Sequence, residues 1–285
     1  MINWPQSLVD KIARRDCVVL IGSGVSANSQ DDHGNRPPTW YEFLEKAKSE
    51  LDTCPRYVTQ SINSNKYLES CEYLKNLLGN RWNEIIAESF QSPGYKPAGI
   101  HRHIFNLDCR VVASLNFDKI YDAYASAQTQ GTYIVKNYYD DDVARVSSGI
   151  DRYLLKLHGS IDTPNKLIFS TTDYARARNK YHLFYRVLDA LVVTNTFLII
   201  GCGVNDPDIQ LIFENYRYSY DLENHFMVQA RPVKAPQKEL LLNSRGINVL
   251  EYSSANYHQE LTDSLKELVS LVSDRRDDIA SHQNW

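Results

Sequence analysis

Cysteine is scarce in this chain. Five residues (Cys17, Cys54, Cys71, Cys109 and Cys202) are scattered over 285 positions, odd in number and without a CxxC pair. That pattern excludes a disulfide framework and a zinc ribbon alike, so no metal is expected. Net charge is nearly absent too, with 31 Lys and Arg against 35 Asp and Glu. The basic footprint of a nucleic-acid binder is missing, and no direct nucleic-acid contact is expected. No apolar run approaches the roughly 18 residues of a membrane span. The opening stretch "MINWPQSLVDKIARR" lacks the apolar centre of a signal peptide and suits a short amphipathic helix. There is no repeat and no low-complexity tract. The chain reads as cytosolic, without membrane contact.

What is present is an ordinary apolar share, 43%, enough for one large domain or two small ones. Short apolar runs recur at "CVVLIG", "RVVASLN", "YLLKLHG", "TFLIIGCG", "HFMVQA" and "INVLEYS". Their near-continuous apolarity, without alternation, suits strands buried on both faces of a parallel sheet. Helical patterns lie between them. "DKIYDAYASAQ" opens on Asp118, a candidate N-cap, and "DPDIQLIFENYRYSY" carries Pro207 in its first turn. The expected fold is α/β: a doubly wound, mostly parallel Rossmann-like sheet. Residues 53–100 show helical periodicity without a strand and read as a helical insertion, either a wall over the ligand crevice or filler of an enlarged core. The main domain is expected over 1–273, followed by a frayed polar tail over 274–285. "YYDDDVARVSSG" reads as a solvated loop.

Four strand ends carry the chemistry. The first run breaks into "GSGVSAN", with Gly22, Ser23, Gly24 and Ser26 in one bend. A Gly-x-Gly turn after a strand can expose amides to a pyrophosphate, or can simply be tight. The second run ends "SLNFD", setting Asn116 and Asp118 just past its carboxyl end. A later one ends "LKLHGS", which brings His158 to the same edge. Another ends "GCGVNDPDI", with Gly201 and Asp206. In open parallel sheets ligands bind at that edge.

The ordered series "GSGVSAN", "SLNFD", "LHGS" resembles the sirtuin catalytic core, whose motifs read GAGxS, TQNxD and HG. With "PPTWYEFLEKA", "FSTTDYARA" and "GCGVNDPDI" it is similar to the bacterial sirtuin-like branch found in anti-phage defence. The resemblance runs from about Val18 to Leu268. It implies binding of NAD as substrate and cleavage of its nicotinamide–ribose bond. Gly22, Ser23, Gly24 and Ser26 would line the phosphates. Asn116 would hold the ribose or the attacking water, and His158 would serve as general base at the ribose hydroxyls. Asp118 would either contact the nucleotide or cap a helix. Gly201 would let backbone approach the ligand, and Asp206 would either reach a ribose or cap the following helix.

Protein-deacylating sirtuins carry a four-cysteine zinc module between the His-Gly motif and the later glycine-rich strand. Between His158 and Gly201 this chain has no cysteine. Water then becomes the expected acceptor, which makes the chain an NAD hydrolase effector of abortive anti-phage defence. ADP-ribosyl transfer or deacylation is the enzymatic alternative, and a non-catalytic NAD or ADP-ribose sensor the alternative of another class. The family further implies a regulatory partner such as a HerA-type ATPase or a short Argonaute. With 19 tyrosines and 4 tryptophans the surface is expected to supply a homo-oligomer contact. Metal analysis of purified protein should find zinc well below one per chain, and chelator should leave the fold intact. One tightly held zinc per chain would reinstate the deacylase reading.

Overall fold

Among the described residues, seven short strands make one all-parallel sheet in the computed structural model, which describes residues 1–148, 151–220 and 225–282. They are β1 (Cys17–Ile21), β2 (Val111–Ser114), β3 (Ile134–Asn137), β4 (Tyr153–Lys156), β5 (Thr196–Ile200), β6 (His225–Ala230) and β7 (Ile247–Tyr252). Their order across the sheet is β3-β4-β2-β1-β5-β6-β7, and every pairing is parallel. The six apolar runs are six of these strands. β3, at one edge and only half buried, lacks their apolar signature.

The apolar strands follow from burial on both faces. In β1, Cys17, Val19 and Ile21 belong to one core while Val18 and Leu20 belong to the other. The first core is closed by the helices Gln6–Ala13, Gly99–Asn106 and Ala255–His282, through Leu8, Ile12, Ile104, Leu265 and Leu268. The second is closed by His182–Thr194 and Pro207–Tyr220, through Leu188, Leu191, Ile212 and Phe213. The chain leaves β1 toward β2 on one side and leaves β5 toward β6 on the other. Their adjacent carboxyl ends therefore form the switch point, where a crevice must open.

A third core lies in the helical layer and reaches beyond the expected 53–100. It draws in Phe43 and Leu44 from the helix Trp40–Ser49, and Leu167 and Phe169 from the segment after β4. The polar tail is also corrected. The last helix runs on to His282, because Arg275 pairs with Asp10 at 2.6 Å and Arg276 donates to the carbonyls of Ala13 and Leu107 at 3.2 and 2.9 Å. In the expected loop after β3, Val143 and Val146 are fully buried and anchor a short helix, Arg145–Ser148. The last residue of that quoted stretch lies outside the described residues.

One buried ion pair ties the end of β4 to the helix Ile120–Gln128, which follows β2. Lys156, at the end of β4, is 1% exposed and meets Asp122 at 3.1 Å; its ammonium also donates to the Asp118 carbonyl at 2.5 Å. Burial raises the Asp122 carboxyl above its ordinary value, with Lys156 pulling the other way. Lys156→Met should cost about 3–5 kcal/mol in denaturant unfolding, since it strands a buried carboxylate. Adding Asp122→Leu should recover part of that loss. A single variant as stable as the parent would contradict this account.

Candidate active site at the carboxyl ends of the strands

The turn after β1 is held against the turn after β5. The Gly22 amide donates to the Ile200 carbonyl at 3.0 Å and the Gly24 amide to the Gly201 carbonyl at 2.8 Å. A Cβ on Gly22 would stand 2.3 Å from the Cys202 Cβ, and one on Gly24 would stand 2.8 Å from the Gly201 Cα. Gly201 itself sits at φ +69, where other residues are strained. These glycines therefore let two backbones meet. Both glycine amides are thus spent on β5 and its turn. The Ser23 hydroxyl has no protein partner among the described residues and faces the cavity.

Asn116, two residues beyond the end of β2, is locked by its own amide. Its Nδ2 donates to the Gly22 carbonyl and to the Ser26 Oγ, both at 2.9 Å. Ser26 in turn donates to Asp118 Oδ2 at 2.7 Å, and Asp118 Oδ1 accepts the Ile120 amide at 3.0 Å. Ser26 and Asp118 thus stand behind the carboxamide rather than in the cavity. Both amide hydrogens are used, so Asn116 presents its carbonyl oxygen, which has no partner among the described residues.

His158 follows β4 and meets Asp206, from the loop after β5, at 2.9 Å through Nε2. Tyr174 donates to the same Asp206 oxygen and lies 3.2 Å from that ring nitrogen. Asp206 Oδ1 accepts the amides of Asp208 and Ile209 at 3.1 and 2.9 Å. Asp206 thus caps the start of the following helix, and both of its carboxylate oxygens are engaged within the protein. Burial would raise this carboxyl, but His158, Tyr174 and the Ile209 amide outweigh it and hold it down at about 2. Burial and the Asp206 charge push the Tyr174 hydroxyl far up, so it remains a donor. Tyr174 is set in place by a capping box: Ser170 and Asp173 bond reciprocally, and Lys75 reaches Asp173 from the helical layer at 2.8 Å.

These groups open onto a cavity of about 690 Å³, within the range of about 300–1,000 Å³ usual for small-molecule sites. Of the residues singled out in the sequence, Gly22, Ser23, Asn116, His158 and Asp206 line it, whereas Gly24, Ser26, Asp118 and Gly201 brace those that do. Sequence reasoning missed the opposite wall. Trp40 and Tyr67 line it with rings 10° from parallel and centroids 6.3 Å apart, flanked by Lys66. It also missed Tyr174 and Lys156. A lysine inside the apolar run "YLLKLHG" was a usable signal, since a buried ammonium demands a partner. Cys202 lines the cavity, but burial, with Asp206 adding, raises its thiol to about 12, so it is a poor nucleophile. Among the described residues no group of three or more His, Cys, Asp or Glu side chains is placed to hold a metal ion. Nor is any helix long and apolar enough to cross a membrane.

A doubly wound parallel sheet with an asparagine and a histidine at neighbouring strand ends, beside a glycine turn, has its crevice where open α/β sheets bind ligands, in a sirtuin-like Rossmann fold. Residues 110–250 match the profile of the SIR2-like domain family, and the chain is similar beyond that span to bacterial sirtuin-like proteins. It is 26% identical over 245 residues to Defense-associated sirtuin 2 of Bacillus subtilis, covering 83% of this chain and 23% of that protein. It is 22% identical over 286 residues to NAD(+) hydrolase ThsA of Enterococcus faecium, covering 91% of this chain and 56% of that one. A ThsA of Bacillus cereus is 22% identical over 207 residues, covering 70% of this chain and 41% of the relative. The chain therefore spans between about a quarter and about half of these relatives.

The depressed Asp206 carboxyl has a consequence for stability. Its folded value lies below the ordinary 3.8, so the stability it confers is complete above about pH 4 and is lost as pH falls toward 2. The wild type should lose on the order of 2 kcal/mol over that window through this group alone. Asp206→Asn should lack that portion of the loss in denaturant titrations at about pH 5 and pH 3. Parallel curves for the two proteins would refute it.

Proposed function

We propose that the chain is an NAD(+) hydrolase that cleaves NAD to ADP-ribose and nicotinamide. The observation that carries this reading is the placement of the Asn116 carbonyl and the His158 ring, from neighbouring strand ends, on one cavity beside the Gly22–Ser23 turn. The relatives' names support it. In this reading the pyrophosphate lies along that turn, with Ser23 as donor, and Gly24, Ser26, Asp118 and Gly201 hold the turn and Asn116 in place.

The chemistry follows from the groups. As the bond from the ribose anomeric carbon to the nicotinamide nitrogen breaks, its electron pair neutralises the pyridinium, and positive charge develops on the ribose. The Asn116 carbonyl accepts a hydrogen bond from water or a ribose hydroxyl and brings partial negative charge, without a full charge, to that centre. The oxygen of water bonds to the anomeric carbon, and its proton leaves to His158. The helices between residues 53 and 100 form the wall of the crevice and shield the reacting carbon. The protein works in the cytoplasm as an effector of abortive anti-phage defence. It does so as a homo-oligomer under the control of a partner such as a HerA-type ATPase or short Argonaute, because unrestrained NAD loss would poison the cell.

Purified protein should release nicotinamide from NAD, with no other nucleotide product than ADP-ribose. Asn116→Ala and His158→Ala should each lower kcat by about 10²–10⁴-fold in a protein of unchanged fold. Full turnover in a folded His158→Ala protein would overturn the assignment.

A further inference from the structure

The cavity places a carboxylate and a phenol against the histidine that the proposed chemistry uses. Asp206 is 7% exposed in its side chain and His158 14% exposed, with Nε2 and Oδ2 at 2.9 Å. An ionised carboxylate can only accept, so the imidazole must carry its hydrogen on Nε2 for this bond to form. That leaves Nδ1, which has no partner among the described residues, as the basic nitrogen. Tyr174 donates its single hydrogen to the same carboxylate oxygen, which keeps the carboxylate from rotating away. On the other side Oδ1 is pinned by the Asp208 and Ile209 amides at the start of the helix Pro207–Tyr220. The carboxylate is therefore fixed at both oxygens.

We propose that Asp206 is a positioning residue, which fixes His158 as the Nε2–H tautomer with Nδ1 as proton acceptor, and that Tyr174 secures Asp206 in that role. Asp206 does not touch the nucleotide in this account. When His158 takes a proton on Nδ1, both ring nitrogens carry hydrogen, and the facing carboxylate stabilises the imidazolium that results. The kinetic part of the inference rests on the hydrolase reading above, whereas the tautomer does not.

Two measurements on the full chain separate these parts. Nitrogen-15 histidine NMR of the protein without ligand should show His158, identified by its absence in His158→Ala, as a single Nε2–H tautomer with a strongly downfield imidazole proton. Asp206→Asn should lose that proton signal. Asparagine still caps a helix well, so this variant keeps the helix start and removes the charge. In turnover assays Asp206→Asn should lower kcat by between about 10- and 10⁴-fold and leave the KM for NAD unchanged. It should add nothing in the His158→Ala background, as expected for residues acting as one unit. Tyr174→Phe should lower kcat in the same sense by a smaller factor, and provides the test if Asp206→Asn fails to fold. An Nδ1–H tautomer in the wild type would overturn the proposal, whether or not NAD is hydrolysed. So would a raised KM with kcat intact, or a loss that persists undiminished without His158. If the wild type shows the expected tautomer and does not turn NAD over, the hydrolase reading falls and the positioning of His158 stands.

Discussion

Backbone packed against backbone, where β1 and β5 end, sets the coordinates of the rim. Gly22 and Gly24 give their amides to Ile200 and Gly201, and no side chain fits between them. This leaves the Gly22 carbonyl pointing at β2, where it accepts the Asn116 carboxamide. The orientation of Asn116 is thus inherited from a contact between two other strands. The loop after β5 then carries Asp206 toward His158 from the opposite side, so both candidate catalytic groups are placed by the same seam.

Around that seam the polar groups are organised in small closed sets. Ser26 and Asp118 hold Asn116, Lys156 holds Asp122 and the Asp118 carbonyl, and Asp206 joins His158 to Tyr174. In a site this buried an unpaired charge would cost several kcal/mol, and each of these charges has its partner. The sets are also linked in space, since Asp118 belongs to the first and touches the second. Disturbing Lys156 would therefore reach Asn116 through the Asp118 main chain.

Much of this was legible beforehand, for a specific reason. Strands buried on both faces need apolar residues at nearly every position, so β1, β2, β4, β5 and most of β6 announce themselves, while β7, only partly buried at the other edge, is still marked by Ile247, Val249, Leu250 and Tyr252. β3 is half buried at an edge and carries Lys136 and Asn137, and its run is too short and too polar to stand out. Asn116 and His158 could be placed because each follows such a strand directly. The partners of these residues could not be placed in the same way. Tyr174 and Asp206 lie far from His158 in sequence, and only the packing of two helices over the second core brings them together. The glycine turn stands out in the sequence, but its packing against the turn after β5 does not, because that contact is made by backbone distant in the chain.

Asn116 has one more consequence, which concerns what may occupy the crevice. With both N–H groups committed, the carboxamide offers lone pairs only, and its 9% exposure leaves little water to repair a mismatch. A small molecule designed for this cavity must bring a hydrogen-bond donor to that point. One that brings a carbonyl or ether oxygen instead sets two acceptors face to face and forfeits about 1–3 kcal/mol of affinity. The crevice thus carries a polarity rule for inhibitors that its shape alone would not reveal.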